Sequence, residues 1–285
     1  MYTYDIDKLK PLFEKILAEN TKPDVLNWLQ QKGNFNTAFV LVPRKAGKAA
    51  LHLSTDNEQQ LAAIYPAFSL KGWSVDMLGR AFLLLNLDAT DKDEYFRVIE
   101  NLFLAAEVNE LVALYSSLPL LAYPEIWVKR CAEGIRSNIG NVLEAIMYQN
   151  PYPQQYLDQR AWNQLILKAF FTGKDVGKIQ GIDHRANKDL AYIVSDYVHE
   201  RRAAGREINP ALWRFVGPFL DDKLFEDVKW AIDSGVYVNQ KAAALAIAKS
   251  NYQPAVELLN SNPQLKADIE QSKITWDSLA LEFQH

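Results

Sequence analysis

The chain has 285 residues, 49% hydrophobic and 12% aromatic, enough to bury a large core in one elongated domain or two small ones, and this excludes a disordered chain. With 31 Lys and Arg against 35 Asp and Glu, it lacks the basic face that a general phosphate-backbone binder needs, so nucleic acid is not expected as a partner. Its one cysteine, Cys131, cannot close an internal disulfide, and four histidines without a Cys/His cluster are too few for structural zinc, so we expect a reducing compartment and no cofactor.

The opening "MYTYDIDKLKPLFEKILAEN" has no basic stretch followed by an apolar one, and no run approaches the roughly 18 apolar residues of a membrane span. The expectation is a cytoplasmic protein. "TKPDVLNWLQQ" starts a helix with Thr21 as cap and Pro23 in the first turn, and Gly33 marks a stop. "FVLVP" (39 to 43) is made of strand formers, but its context favours a short helix. "DKDEYFRVIENLFLAAE" (91 to 107) is helical, with Tyr95, Val98, Ile99, Leu102 and Phe103 in one stripe. "VNELVALYSSLPLL" (108 to 121) follows almost without linker, the spacing of an antiparallel helix pair. Gly173 and Gly205 read as later stops, and "NPALWRFV" repeats the Asn-Pro start at Asn209 and Pro210.

The final third contains helices of about ten residues divided by Ser-Gly, Ser-Asn and Asn-Pro signals. Within it, "KAAALAIAKS" suits a helix packed closely on both sides. The pattern predicts an all-α chain of stacked antiparallel helix pairs, an irregular α-solenoid of HEAT or armadillo type with no exact repeat. No Ser, Pro or Gly-rich linker divides it. We therefore expect one all-helical domain over 1 to 285, with a core region of about 108–220 and stacked short helices from about 221 to 285.

Two polar constellations stand out. In 131 to 171, Glu133 and Arg136 lie one turn apart and can pair, with Asn138 just beyond. Asn163 falls in line with Leu167 and Phe170, where a buried amide is either a staple between helices or a ligand contact. "QNPYPQQY" (149 to 156) reads as a stiff connector, although Tyr152 and Tyr156 have the mixed character of pocket walls.

The second constellation is "GIDHRANKDLAYIVSDYVHERRAAGR" (181 to 206). A helix over 187 to 205 places Asp189, Asp196 and Glu200 within about 40° of one another, with His199 beside them and Leu190, Ile193, Val194 and Tyr197 as the apolar stripe. Carboxylates so close repel, so an enclosed band needs arginines, a divalent cation or water opposite it. Arginine is locally plentiful, and Arg201 points toward the apolar side, where an unpaired guanidinium is costly. Asp183, Arg185 and Asn187 precede the band. The candidate ligand-binding set is these three with Asp196, His199, Glu200 and Arg201, together with Glu133, Arg136, Asn138 and Asn163.

Catalytic signatures are incomplete. Asp196-x-x-His199 is one pair where a di-iron site needs two, and "HERRA" lacks the second histidine of a zinc peptidase. His52 and His285 are too few to supply a metal-dependent phosphohydrolase. No Gly-x-Ser-x-Gly elbow and no P-loop occurs. "DDKLFED" (221 to 227) misses the magnesium motif of prenyl-diphosphate enzymes at Phe225, and an acid-enriched helix start accounts for Asp221 and Asp222.

The segments "LVALYSSLPLL", "AEGIRSN", "NPYPQQYLDQRAWNQLILKAFF", "GIDHRANKDLAYIVSDYVHERRAAGR" and "LWRFVGPF" resemble the EboA family in unbroken order. The resemblance implies a context: bacterial gene clusters that also encode a membrane prenyltransferase and a metal-dependent hydrolase, and that serve secondary-metabolite assembly or export. It carries no catalytic residues and no fold. A noncatalytic scaffold or metabolite-binding protein is the expected function, with a small-molecule metabolite and proteins of the same cluster, including the prenyltransferase, as partners. Two alternatives stand beside it. One is an enzyme acting on a prenylated or phosphorylated intermediate through Asp183, Asp196, His199 and Glu200. The other is an adaptor that docks a membrane partner, its polar middle being purely structural.

Overall fold

The computed structural model describes residues 1–31 and 33–283, and His285 lies outside them. Among the described residues the chain is all-α, with eighteen α-helices, short 3-10 turns and no sheet. It forms two compact units, Met1–Leu165 with Lys178–Gln180, and Ile166–Gly177 with the chain from Gly181 onward.

The first unit contains α1 (Ile6–Asn20), α2 (Pro23–Gln30), α3 (Phe35–Ala46), α4 (Thr55–Ile64), α5 (Val75–Leu85), α6 (Lys92–Ala105) and α7 (Val108–Ser116). It continues with α8 (Val128–Arg136), α9 (Gly140–Met147), α10 (Tyr152–Tyr156) and the start of α11 (Gln159–Phe171). Local chemistry sets the starts: Asn34 accepts from Thr37 N–H at 2.9 Å to cap α3, and Asp91 caps α6. The strand-forming "FVLVP" is thus helical, as its context predicts. Thr21 is a correction. Lys22 occupies the cap position of α2, and the Thr21 hydroxyl instead donates to Leu17 O at 2.7 Å, closing the end of α1. Pro119 ends the "VNELVALYSSLPLL" helix early, turning its last residues into a 3-10 turn.

Helix α5, buried along almost its whole length, is the spine of this unit and packs on α1, α3 and α7. It carries Arg80, only 2% exposed. Pro43 explains why a guanidinium is tolerated there. Proline has no N–H to give the carbonyl four residues back, so Phe39 O is left without its helical donor, and Arg80 Nε fills the vacancy at 3.1 Å. The same guanidinium donates to Asp76 at 2.8 Å, lies 3.8 Å from Glu110, and sits over the Phe39 ring. All three charged groups are buried.

The second unit holds the end of α11, then α12 (Lys188–Ala203), α13 (Trp213–Val216), α14 (Asp222–Asp233), α15 (Tyr237–Ile247), α16 (Gln253–Asn260), α17 (Pro263–Glu270) and α18 (Trp276–Phe283). Its packing converges on α15, which touches α13, α14, α16, α17 and α18. The alanines of "KAAALAIAKS" make this possible: Ala242, Ala243, Ala244 and Ala246 are all buried, and small side chains let neighbours approach from every direction. The closest approach is at Gly217, where an added Cβ would lie 2.4 Å from Ala246 O.

Candidate functional site

The second polar constellation is organised by α12, and its ends follow from local chemistry. Asn187 caps it by accepting from Leu190 N–H at 2.9 Å. At the other end Gly205, at φ +62°, adopts the left-handed conformation. Gly205 N–H then reaches Arg202 O at 3.0 Å and Arg206 N–H reaches Arg201 O at 2.9 Å, a Schellman closure that folds Arg206 to Ile208 back across the helix end.

The buried face of α12 is Leu190, Ala191, Val194, Ser195 and Val198. This corrects the expected stripe, because Ile193 is exposed and Tyr197 only half-buried. The face turned inward includes small residues, and Ser195 reaches α14, whereas Tyr197 packs edge-on against Phe171.

Along the α12 and α14 seam, α14 and its cap answer several polar groups of α12. Asp221, the cap of α14, takes the Tyr192 hydroxyl at 2.5 Å and lies 3.3 Å from Lys188 Nζ. The Tyr192 bond, more than any other contact, holds the Asp221 carboxyl below the usual carboxylate range. Lys223 Nζ is 3.6 Å from Asp196. Asp227, buried, accepts from Ser195 Oγ at 2.6 Å and from the Nε2–H of His199, and Arg202 lies 3.8 Å away. An ionised carboxylate only accepts, so this bond places the His199 proton on Nε2.

The remaining predicted residues go elsewhere. Asp183 receives a two-pronged contact from Arg214 at 2.7 Å on each oxygen, and this lowers its pKa. Arg201 donates to Glu207 O at 2.8 Å, a carbonyl rather than the carboxylate its position called for. Glu200 is exposed and Arg185 half-buried. Glu133, Arg136, Asn138 and Asn163 belong to the first unit. There Glu133 pairs with Arg130 at 2.9 Å, and not with Arg136, which is exposed along with Asn138. Asn163 is buried. Tyr152 is also buried and donates its hydroxyl to Pro124 O, which makes it a staple. Burial pushes the Cys131 thiol pKa up, so this side chain is an inert core group. Among the described residues, no three His, Cys, Asp or Glu side chains are grouped as a metal site requires.

The family model described as metabolite traffic protein EboA matches residues 9–217, well over half of the chain. The chain belongs to the EboA family. No curated protein and no solved structure matches it. Among the described residues of this EboA-family chain, no helix is long and apolar enough to cross a membrane.

Two cavities of the second unit remain. The smaller, about 250 Å³, is walled by Arg214, Asn209 and Trp276. The larger, about 870 Å³, opens where the Schellman turn of α12 meets α14 and the start of α15, and is lined by Arg202, Arg206, Glu207, Trp230, Asn239 and Phe283 among others. None of the predicted residues of this unit lines either cavity. Arg202 links the seam to the larger groove, its guanidinium stacked 3.8 Å above the Trp230 ring while it faces Asp227. Arg202, Arg206 and Glu207 fall within the matched EboA segment, whereas Trp230 and Asn239 lie beyond it. Sequence reading missed Trp230, Asp227 and Asn239. Asp227 had one visible signal, an acid placed among the apolar positions of α14.

Proposed function

We propose that this EboA-family chain is a noncatalytic metabolite-binding protein that works in the assembly or export of a secondary metabolite, and that the larger groove of the second unit receives the ligand. The groove carries the reading. Its volume of about 870 Å³ is that of a small-molecule site, and an aromatic face with a few convergent polar groups is the usual chemistry of such sites. The acids and histidine of α12 contribute by fixing the seam: Asp227 orients Arg202, and Arg202 lies on Trp230. The test is native mass spectrometry of protein purified from cells that make the metabolite, alongside Trp230→Ala. A retained small molecule, reduced at least tenfold in a variant whose circular dichroism is unchanged, is the expected result. An empty protein, or retention indifferent to Trp230, overturns the reading.

A docking adaptor is the second reading. It is favoured by the pairing of the polar seam together with exposed apolar side chains on the first unit, Leu104 at 71% and Val108 at 43%. Replacement of both by Ser would then release a partner without touching ligand retention.

A further inference from the structure

The smaller cavity of the second unit is built separately from the groove and shares only Phe283 with it. One wall is the turn after α11. Gly173, at φ +63°, takes the left-handed conformation, Lys174 N–H reaches back to Ala169 O at 2.8 Å, and the Asp175 carboxylate accepts from Gly177 N–H at 2.9 Å, so residues 173–177 fold into a tight loop. The start of α13 with the 3-10 turn before it (Pro210–Leu212) forms a second wall, and α18 forms the third. Val176, Pro210 and Leu279 are buried and, with Trp276 and Ala280, give the cavity an apolar lining.

Two hydrogen-bond donors remain on this lining. Arg214 commits its Nε and Nη2 to Asp183, and its guanidinium carbon lies 5.9 Å from the centre of the Trp276 ring. The third nitrogen, Nη1, has no partner among the described residues and keeps accessible surface. Asn209 is in the same state: its Oδ1 caps the 3-10 turn by accepting from Ala211 N–H at 3.0 Å, and its Nδ2 is accessible and unmatched among the described residues.

The charges of the wall do not select an ion. Lys174 and Arg214 stand against Asp175 and Asp277, and Arg214 is already neutralised by Asp183 at 2.7 Å. Free donors on an apolar wall without excess charge suit an uncharged ligand that offers an acceptor oxygen. Size narrows the class. The cavity holds about 250 Å³, and an apolar cavity of about 150 Å³ is enough for benzene, so one ring with a short substituent fits.

We propose that this cavity is a second ligand site, for a small uncharged aromatic carbonyl compound whose ring lies against Trp276, Pro210 and Leu279 and whose oxygen is met by Arg214 Nη1 and Asn209 Nδ2. Aromatic rings pack well against the indole of Trp276. Asp183 acts here as a positioning residue: its two-pronged contact fixes the guanidinium and leaves Nη1 as the one uncommitted nitrogen. The site goes beyond the metabolite-binding reading of the larger groove and does not depend on it.

The experiment is an NMR titration of the whole chain with acetophenone, ethylbenzene, benzoate and benzylamine, on wild type, Asn209→Asp, Arg214→Gln and Ala280→Leu. Asn209→Asp keeps a capping oxygen for Ala211 N–H, so it folds while its amide donor is replaced by a carboxylate. Arg214→Gln leaves Asp183 to water, its side chain being 64% exposed. Ala280→Leu, a change between good helix formers, fills the cavity. Acetophenone should bind at least fivefold more tightly than ethylbenzene or either ion, weaken at least fivefold in both Asn209→Asp and Arg214→Gln, and become undetectable in Ala280→Leu. Ethylbenzene or an ion binding as tightly as acetophenone, affinity indifferent to any of the three variants, or no binding of acetophenone overturns the proposal. The reading of the larger groove stands or falls separately, on ligand retention in Trp230→Ala.

Discussion

The two units handle charge in opposite ways. In the first, Arg80 is sealed with Asp76, Glu110 and the carbonyl that Pro43 leaves vacant, and every partner is internal. In the second, polar groups run along the half-exposed seam of α12 and α14 and end at a groove walled by Arg202, Arg206 and Trp230. A fully matched buried cluster specifies a fold, because any other arrangement strands a charge. Arg206, exposed at the cavity and without an ion pair among the described residues, has capacity left for a ligand. The comparison teaches where to look for function, and it does not favour the region with the most acids.

Substitutions can break this contrast. Arg80→Met leaves two buried carboxylates without their cation, and unfolding titrations should show a loss of about 3–5 kcal/mol, the largest of the set. A variant as stable as wild type would mean that water reaches Asp76 and Glu110. Gly217→Ala drives a methyl into the backbone at Ala246. Overpacking of this kind costs about 1–3 kcal/mol, because the atoms it meets are all backbone atoms of Ala246 and not a flexible side-chain end.

Asp227→Asn tests the seam itself. Ser195 keeps an acceptor but His199 and Arg202 lose the charge, and a destabilisation of about 1–3 kcal/mol is expected by chemical denaturation. Asp196→Asn should cost less than about 1 kcal/mol, since the Lys223 pair is exposed. If the two cost the same, the buried and exposed halves of the seam are not distinct.

The smallest effect concerns pH. Arg214 lowers the pKa of Asp183 in the folded state, so this pair stabilises above the ordinary carboxylate pKa and its contribution is lost as pH falls through the lowered value. Asp183→Asn should therefore narrow the stability difference from wild type in acid and leave a small deficit near neutrality, measured as melting midpoint against pH. Because most of the Asp183 side chain is exposed, that deficit should shrink with added salt.

Much of the helical skeleton was legible. Gly205, Asn209 and the alanines of α15 act through their own backbone or size, and their effect does not depend on a distant partner. The groove was not legible, since none of the candidate ligand-binding residues singled out in the sequence lines it. The acids of α12 read as a band awaiting arginines, a cation or water, but Asp196 is answered by Lys223 and His199 by Asp227, both on α14 and about thirty residues further on. Ile193 and Tyr197 looked like core because they are large. The α12 face instead turned Ala191 and Ser195 inward. Arg80 had a readable signal, an acid four residues before it in an otherwise apolar helix, but nothing in the sequence placed it against Phe39 O.

The sequence by itself determined the all-α class, a few helix ends and the kinship with EboA, since periodicity, caps and glycine stops are written locally. Only the tertiary structure decided which side chains meet. Ion pairing and cavities depend on groups far apart in the chain, and a helix face has no fixed meaning until another helix is packed against it. The groove at Trp230 and Asn239 exists because a turn closing one helix meets the uncapped start of another.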